Sequence, residues 1–358
     1  MLQHLKNLDL LLVVSAVMLV CFGLVSLYSS GGDELVNFKK QVLWLATGLV
    51  LMFWLRLFDY RVLKNYTAPI VIFYTISVAS LAGLLIWGAT VRGAESWYRV
   101  GAITIEPVEF AKIALILLLA KYFSMRHVEM YRIRHVVASG IYVLLPAGLV
   151  VLQREIGSVL VILSVWLGIM IIAGIKIKHL IFLSLLGSLV FLISWNFLFH
   201  DYQRERLVSF LNPASDPQGS GYNVLQSAIA IGSGGIWGKG LGQGTQTELG
   251  FLPEPQTDFI YAAIVEEMGF IGALLLLLSF GFLFTRIMKI IQVSQNNFAR
   301  LVAAGFLVML TSQVFINMGM TMGILPITGI PLPFVSYGGS GLISLFAMLG
   351  ILQSIRAN

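Results

Sequence analysis

Charge is what this sequence has least of. Only 11% of its 358 residues are Asp, Glu, Lys or Arg, less than half the roughly 25% of a soluble domain. Hydrophobic types make up 58%. A soluble fold of that composition could not cover its surface with polar side chains, which excludes most soluble enzymes and nucleic-acid-binding classes. Cysteine is nearly missing. Cys21 stands alone inside an apolar run, so no intramolecular disulfide and no Cys-based metal site can form. The five histidines are scattered and show no H-E-x-x-H spacing, which argues for ordinary polar residues over metal ligands. No metal site and no cofactor is expected, and a divalent-cation requirement is not legible in the residues. No soluble domain, nucleotide-binding domain, coiled coil or low-complexity tract is found. The lack of an internal repeat counts against inverted-repeat transporters.

What is present is apolar and arranged in runs. Crossing a bilayer as a helix takes about 20 apolar residues. Ten runs qualify, at roughly 9–29, 41–58, 67–88, 107–123, 136–152, 157–175, 179–199, 258–285, 299–322 and 338–355. The first has an apolar core about twice that of a signal peptide, so it reads as an uncleaved span. The expectation is an all-α polytopic membrane protein, with residues 1–358 as a single integral membrane domain. With the N-terminus inside, 14 of the 23 Lys and Arg fall on cytoplasmic segments and 8 outside. That bias puts both termini in the cytoplasm. Of the 17 acids, only Asp9, Asp59 and Glu129 fall on the cytoplasmic side, so chemistry is expected on the outer face. There, one long extracytoplasmic loop, 200–257, far exceeds a usual helix connection.

The few charges that topology does not explain are the candidate chemistry. Thr257 is a plausible N-cap for span 8, placing Asp258 in its first turn, where a carboxylate suits the helix dipole. It is either a general base or an ordinary helix-start acid. Glu266 and Glu267 follow two to three turns on, about 12–14 Å along a straight axis. They are functional carboxylates or hydrogen-bonded locks between helices. Pro107 suits the first position of span 4. Glu109 and Lys112, at i and i+3 of that span, share a face. They form an anion-binding lysine held by its acid, or a self-neutralised pair. Arg154 and Glu155 cap the outer end of span 5 in what reads as a solvated turn. Lys39, Lys40, Arg92, Arg99, Arg204 and Arg206 are outer basic residues that anchor at the interface singly or bind a polyanionic headgroup together. Residues 232–244 hold seven glycines. They fail as a phosphate loop because Gly, not Ser or Thr, follows Lys239, but their N–H groups could form an anion nest. The uncharged, proline-rich stretch 323–340 reads as a re-entrant wall near the outer site, since non-helical backbone at that depth must be buried or line a cavity.

Four ordered stretches resemble the shape, elongation, division and sporulation (SEDS) family. They are Gly221-Tyr-Asn-Val-Leu-Gln-Ser-Ala-Ile-Ala-Ile-Gly-Ser-Gly-Gly235, Gly238-Lys-Gly-Leu-Gly-Gln-Gly-Thr-Gln246, Leu252-Pro-Glu254 followed by Thr257-Asp-Phe-Ile260, and Thr328-Gly-Ile-Pro-Leu-Pro-Phe-Val-Ser-Tyr-Gly-Gly-Ser340. The likeness is to the RodA branch more than to the FtsW branch. It implies a peptidoglycan glycosyltransferase that polymerises lipid II on the outer face of the bacterial cytoplasmic membrane during cell-wall elongation and shape maintenance. A class B penicillin-binding protein would supply cross-linking. Lipid II, that transpeptidase and membrane lipids are the implied partners; nucleic acid is not. Asp258 matches the family's essential Asp and becomes the candidate base. Glu109 and Lys112 match its Glu-Phe-Ala-Lys motif. Lys112, Glu109, Arg206, Lys239, Lys40, Arg99 and Glu155 form the expected substrate and pyrophosphate set. The chain departs from the family at Gln256, where a His is common, and at Arg154, where a Pro is common. A lipid-precursor flippase, an FtsW-like division paralogue and a non-catalytic scaffold are the rival readings.

Overall fold

The computed structural model describes residues 8–31, 35–91, 94–101, 103–126, 133–197, 204, 208–212, 216 and 219–357. Among them, helices of 18 to 34 residues occupy all ten expected runs. We label them α1 (Leu10–Ser29), α2 (Val36–Leu57), α4 (Ala68–Trp87), α5 (Pro107–Met125), α6 (Ile133–Leu152), α7 (Ile156–Ala173), α8 (Ile177–Phe197), α11 (Ile260–Val293), α12 (Asn297–Thr321) and α13 (Gly339–Ala357). Short helices α3 (Arg61–Asn65), α9 (Ser220–Ser233) and α10 (Thr245–Glu248) lie between them. Eight of the ten are apolar and long enough to cross a membrane. The fourth, α5, carries Glu109, Lys112 and Lys121, and the seventh, α8, contributes the apolar stretch Ile177–Leu189. The protein is a polytopic all-α membrane protein.

Local chemistry sets the helix ends. Asp9 and Asn296 cap α1 and α12, their side chains accepting from Leu12 N and Ala299 N. Proline opens α4 and α5, where its missing N–H costs nothing. Gly174 ends α7 in the left-handed conformation. α5 is the central helix: nearly all of its residues from 107 to 121 are buried, against α4, α6, α7, α12 and α13. At one end of the bundle Asp9 is buried and binds Arg286 at 2.7 Å and also Arg356. Its backbone N–H donates to Gln353 Oε1 and its carbonyl accepts from Gln353 Nε2. That cluster brings the first and last spans to one side, as the charge pattern requires.

Two features differ from the all-helical expectation. The outer connection 88–106 forms a three-stranded antiparallel sheet, β1 (Ala89–Val91), β2 (Ala94–Val100) and β3 (Ile103–Ile105), with Tyr98 opposite Ile105 and Val100 opposite Ile103. Gly101, at φ 62°, makes the turn. Tyr98 ties the sheet down by donating to Ser80 O at 2.8 Å. The segment 200–257 is not a plain loop either, because α9 and α10 fold within it.

α11 is also broken. Gly269 takes φ 66° and ψ −163°, outside any helix. From Val293 back to Gly269, at ~1.5 Å per residue, the helix already exceeds the ~30 Å apolar core. Glu266 and Glu267 therefore do not lie deeper along one straight axis from Asp258.

Candidate active site

A cavity of about 100 Å³ opens beneath the outer sheet. Trp97 of β2, Glu106 and Glu109 of α5, Thr257 and Asp258 before α11, Gln313 of α12 and the wall from Gly329 to Gly338 line it. The proline-rich stretch forms one wall of the cavity. The local sequence explains why the wall holds its shape. Ser336 takes the Leu332 N–H at 2.8 Å and gives its own hydroxyl to Thr257 O at 2.6 Å. The Tyr337 N–H donates to Gln256 O at 2.9 Å. Gly329, at φ 72°, lies next to the Asp258 carboxylate, and a Cβ there would make ordinary contact with Oδ2 at 3.6 Å.

Asp258 does not sit in the first turn of α11. The helix starts at Ile260, because Thr257 N and Phe259 N both bond back to Glu254 O in a tight turn. The Asp258 carboxylate is partly exposed to the cavity. Its backbone is held instead by Asn317, whose Nδ2 donates to Asp258 O at 2.9 Å and to Ile330 O at 2.8 Å.

Glu109 and Lys112 form a buried ion pair at 2.7 Å, with side-chain exposures of 4% and 2%. An ammonium so deeply buried needs a partner, and this one has it from one turn earlier on its own helix. Glu106 precedes Pro107 at the cap of α5. Burial pushes its carboxyl well above the usual carboxylate range, and the carboxylates of Glu155, Glu109 and Asp258 push the same way against Lys112. Glu155, at the cap of α7, is likewise raised by burial, which outweighs its hydrogen bond to Ser158 and the pull of Lys112. One region thus gathers four carboxyl groups and one lysine.

Lys239 lies elsewhere. Its ammonium binds Glu266 at 2.9 Å, with Thr245 also in contact. Glu266 further accepts from Gln246 N, Thr247 N and Thr247 Oγ1. The backbone N–H groups that hold Glu266 belong to Gln246 and Thr247, just past the glycine-rich stretch, which itself supplies the Lys239 ammonium to Glu266 and a long 3.4 Å contact from Gly242 N to Glu267. Glu267 accepts at 2.5 Å from Ser29 Oγ at the end of α1, so Glu266 ties α11 to the segment 239–247 and Glu267 ties it to α1. Arg99 is exposed, two residues from Trp97 on β2 and hence on the same face of the strand. Lys40 is half-buried on the second turn of α2 and is not among the residues described as lining the cavity. Arg206 falls outside the described residues.

A reading keyed on isolated charges misses three members of the site. Glu106, next to Pro107, carries no signal of its own in the sequence. Asn317 and Gln313 are uncharged, and their only signal was their spacing of four on an apolar helix. Gln256 bridges too, accepting from Asn37 Nδ2 at 2.6 Å and donating to Ser30 O at 3.1 Å.

Fold and site together define a multi-pass membrane protein with a pocket lined by acids and backed by a buried lysine. The chain belongs to the FtsW/RodA/SpoVE family of cell cycle proteins, which it matches over residues 3–358. It is 36% identical to the peptidoglycan glycosyltransferase MrdB of Escherichia coli K12 over 98% of this chain and 94% of that protein. It is 35% identical to stage V sporulation protein E of Bacillus subtilis, over 97% and 96% respectively. Among solved structures it resembles a chain from a peptidoglycan synthase complex that coordinates polymerization and crosslinking, with 34% identity, a TM-score of 0.83, and coverage of 98% and 97%. It also resembles the rod shape determining protein RodA of Thermus thermophilus, with 28% identity, a TM-score of 0.73, and coverage of 98% and 96%.

Proposed function

We propose that this chain is a peptidoglycan glycosyltransferase that polymerises lipid II at the outer face of the bacterial cytoplasmic membrane, in cell-wall elongation and shape maintenance. The observation that carries the reading is the placement of Asp258. Its carboxylate faces a cavity shared with Glu106 and Glu109, and the buried Lys112 ammonium binds Glu109 on the same helix turn. Glycosyl transfer needs a base for the attacking 4-hydroxyl of the acceptor sugar, and Asp258 has the exposure for it. The departing polyprenyl pyrophosphate gains negative charge as its bond to the anomeric carbon breaks. A positive group fixed beforehand stabilises that charge without reorganising. Lys112 is that group, and Arg99 on the outer sheet extends the positive surface toward water. Glu155, beside Lys112 and Glu106, belongs to the same field. Arg206 and Lys40 are retained as outer contacts for the headgroup. Lys239 serves the loop lock, with Glu266 as its partner. Apolar helix faces accommodate the lipid tail. A class B penicillin-binding protein is the proposed partner for cross-linking. Glu106, Glu109, Glu155 and Lys112 gather with Asp258 around one cavity instead of being spaced along a path through both leaflets, which favours this reading over a flippase.

The test is lipid II polymerisation by the purified chain with its partner. Asp258→Asn keeps the shape and removes the base, and a rate drop of about 100- to 10,000-fold is expected with an unchanged melting temperature. Polymerisation at the wild-type rate by that variant sinks the assignment.

A further inference from the structure

One buried polar atom in the cavity wall has no partner within the described fold. Gln313 is 3% exposed, yet its Oε1 is buried with no hydrogen-bond partner among the described residues. It lines the same cavity as Asp258 and Glu109. It stands one helical turn from Asn317, the residue that holds the Asp258 backbone, so the two amides project from one face of α12. A buried acceptor left open destabilises a protein, and a Leu or Met of similar size would relieve it. An orphan acceptor on a residue that lines the cavity is a candidate position for a donor from outside the chain.

The chemistry of that donor is restricted. An acceptor oxygen needs an O–H or N–H. The oxygens of an ionised pyrophosphate are acceptors and cannot satisfy it. Sugar hydroxyls and the N–H of an acetamido group can. We infer that Gln313 is a substrate-contacting residue whose carboxamide oxygen accepts a hydrogen bond from a hydroxyl or acetamido N–H of an N-acetylated amino sugar held beside Asp258. This rests on the glycosyltransferase reading and adds to it a sugar subsite separate from the pyrophosphate contact at Lys112.

Stability and binding separate this role from a packing role. In full-length protein in nanodiscs, Gln313→Met removes the acceptor at similar volume. The melting temperature should stay level or rise. The kcat/KM for lipid II and its binding affinity should each fall roughly five- to ten-fold, the size of one neutral hydrogen bond. Binding of polyprenyl pyrophosphate, which carries no sugar, should be unchanged. Equal losses on both ligands, or on neither, overturn the inference, as does a lowered melting temperature with lipid II kinetics intact. Should the Met variant fail to fold, Gln313→Asn keeps the amide but withdraws it by one methylene; the same sugar-selective loss is expected, and an equal loss on both ligands overturns the inference. The two readings fail differently. Wild-type protein that binds lipid II but forms no glycan strand defeats the glycosyltransferase reading, while the ratio of the two binding losses still judges Gln313.

Discussion

Asn317 reaches from the outer part of α12 to the carbonyl of Asp258, 2.9 Å away, and the same Nδ2 donates to Ile330 O at 2.8 Å. One amide thus fixes the proposed base relative to the wall opposite it. Asn317→Leu fills the space but supplies no donor, leaving two main-chain carbonyls open in a buried setting. Each costs about 1–3 kcal/mol. The melting temperature should fall, and polymerisation should drop about 100-fold, because a shift near 1 Å in a reacting group carries that penalty. A variant that loses stability but retains full turnover would detach Asn317 from the positioning of Asp258.

The Glu109–Lys112 pair separates stability from chemistry by a different route. Lys112→Met alone strands a buried carboxylate and should destabilise by about 3–5 kcal/mol. Changing Glu109 to Met as well removes both charges, and the double variant should recover most of the melting temperature, since apolar replacement of a buried pair is often neutral or better. Polymerisation should stay lost in both. Recovered activity in the double variant would assign the pair to structure alone.

Glu106 makes the fold sensitive to pH. Its carboxyl is raised above the ordinary 4.5, chiefly by burial and then by Glu155. A raised carboxyl holds its proton more tightly in the folded chain than in the unfolded one, so stability is greatest below the ordinary value and is lost as pH rises through the folded value. Melting temperatures measured from about pH 4 to about pH 9 should therefore fall less steeply for Glu106→Gln than for wild type. A residual slope is expected from Glu155, which burial raises too. Parallel slopes for the two proteins would refute the assignment.

How much of this the sequence disclosed follows from the physics of each signal. The helices were legible because crossing a bilayer demands long apolar runs, and all ten appear. Asp258, Glu109 and Lys112 stood out because charge is scarce. The outer sheet did not, since strands of three and seven residues leave no periodicity beside runs of twenty. Lys239 reads as one of the pyrophosphate-binding cations because its partner, Glu266, lies 27 residues away in sequence. Glu106 is not legible as a site residue, because only folding sets Glu155 and Asp258 near it. Asn317 and Gln313 carry no charge, so nothing in a charge-based reading could single them out.

The break at Gly269 imposes an order of assembly. Phe270 N and Ile271 N donate to the carbonyls of Gly235 and Ile236, while Lys239 N and Gly240 N donate to those of Glu266 and Glu267. An unbroken helix would satisfy such groups within itself. Here another segment completes them, and Gly238 packs so tightly against the break that any side chain there would meet Glu267 O at 2.0 Å. Synthesis delivers residues 234–240 before 266–271, so the break finds its partner already made. A chain with the two segments in the reverse order would send a helix with open backbone groups toward the membrane, where each is costly until paired. Circular permutation that moves 234–240 behind α11 should therefore impair insertion even though every contact of the finished fold remains available.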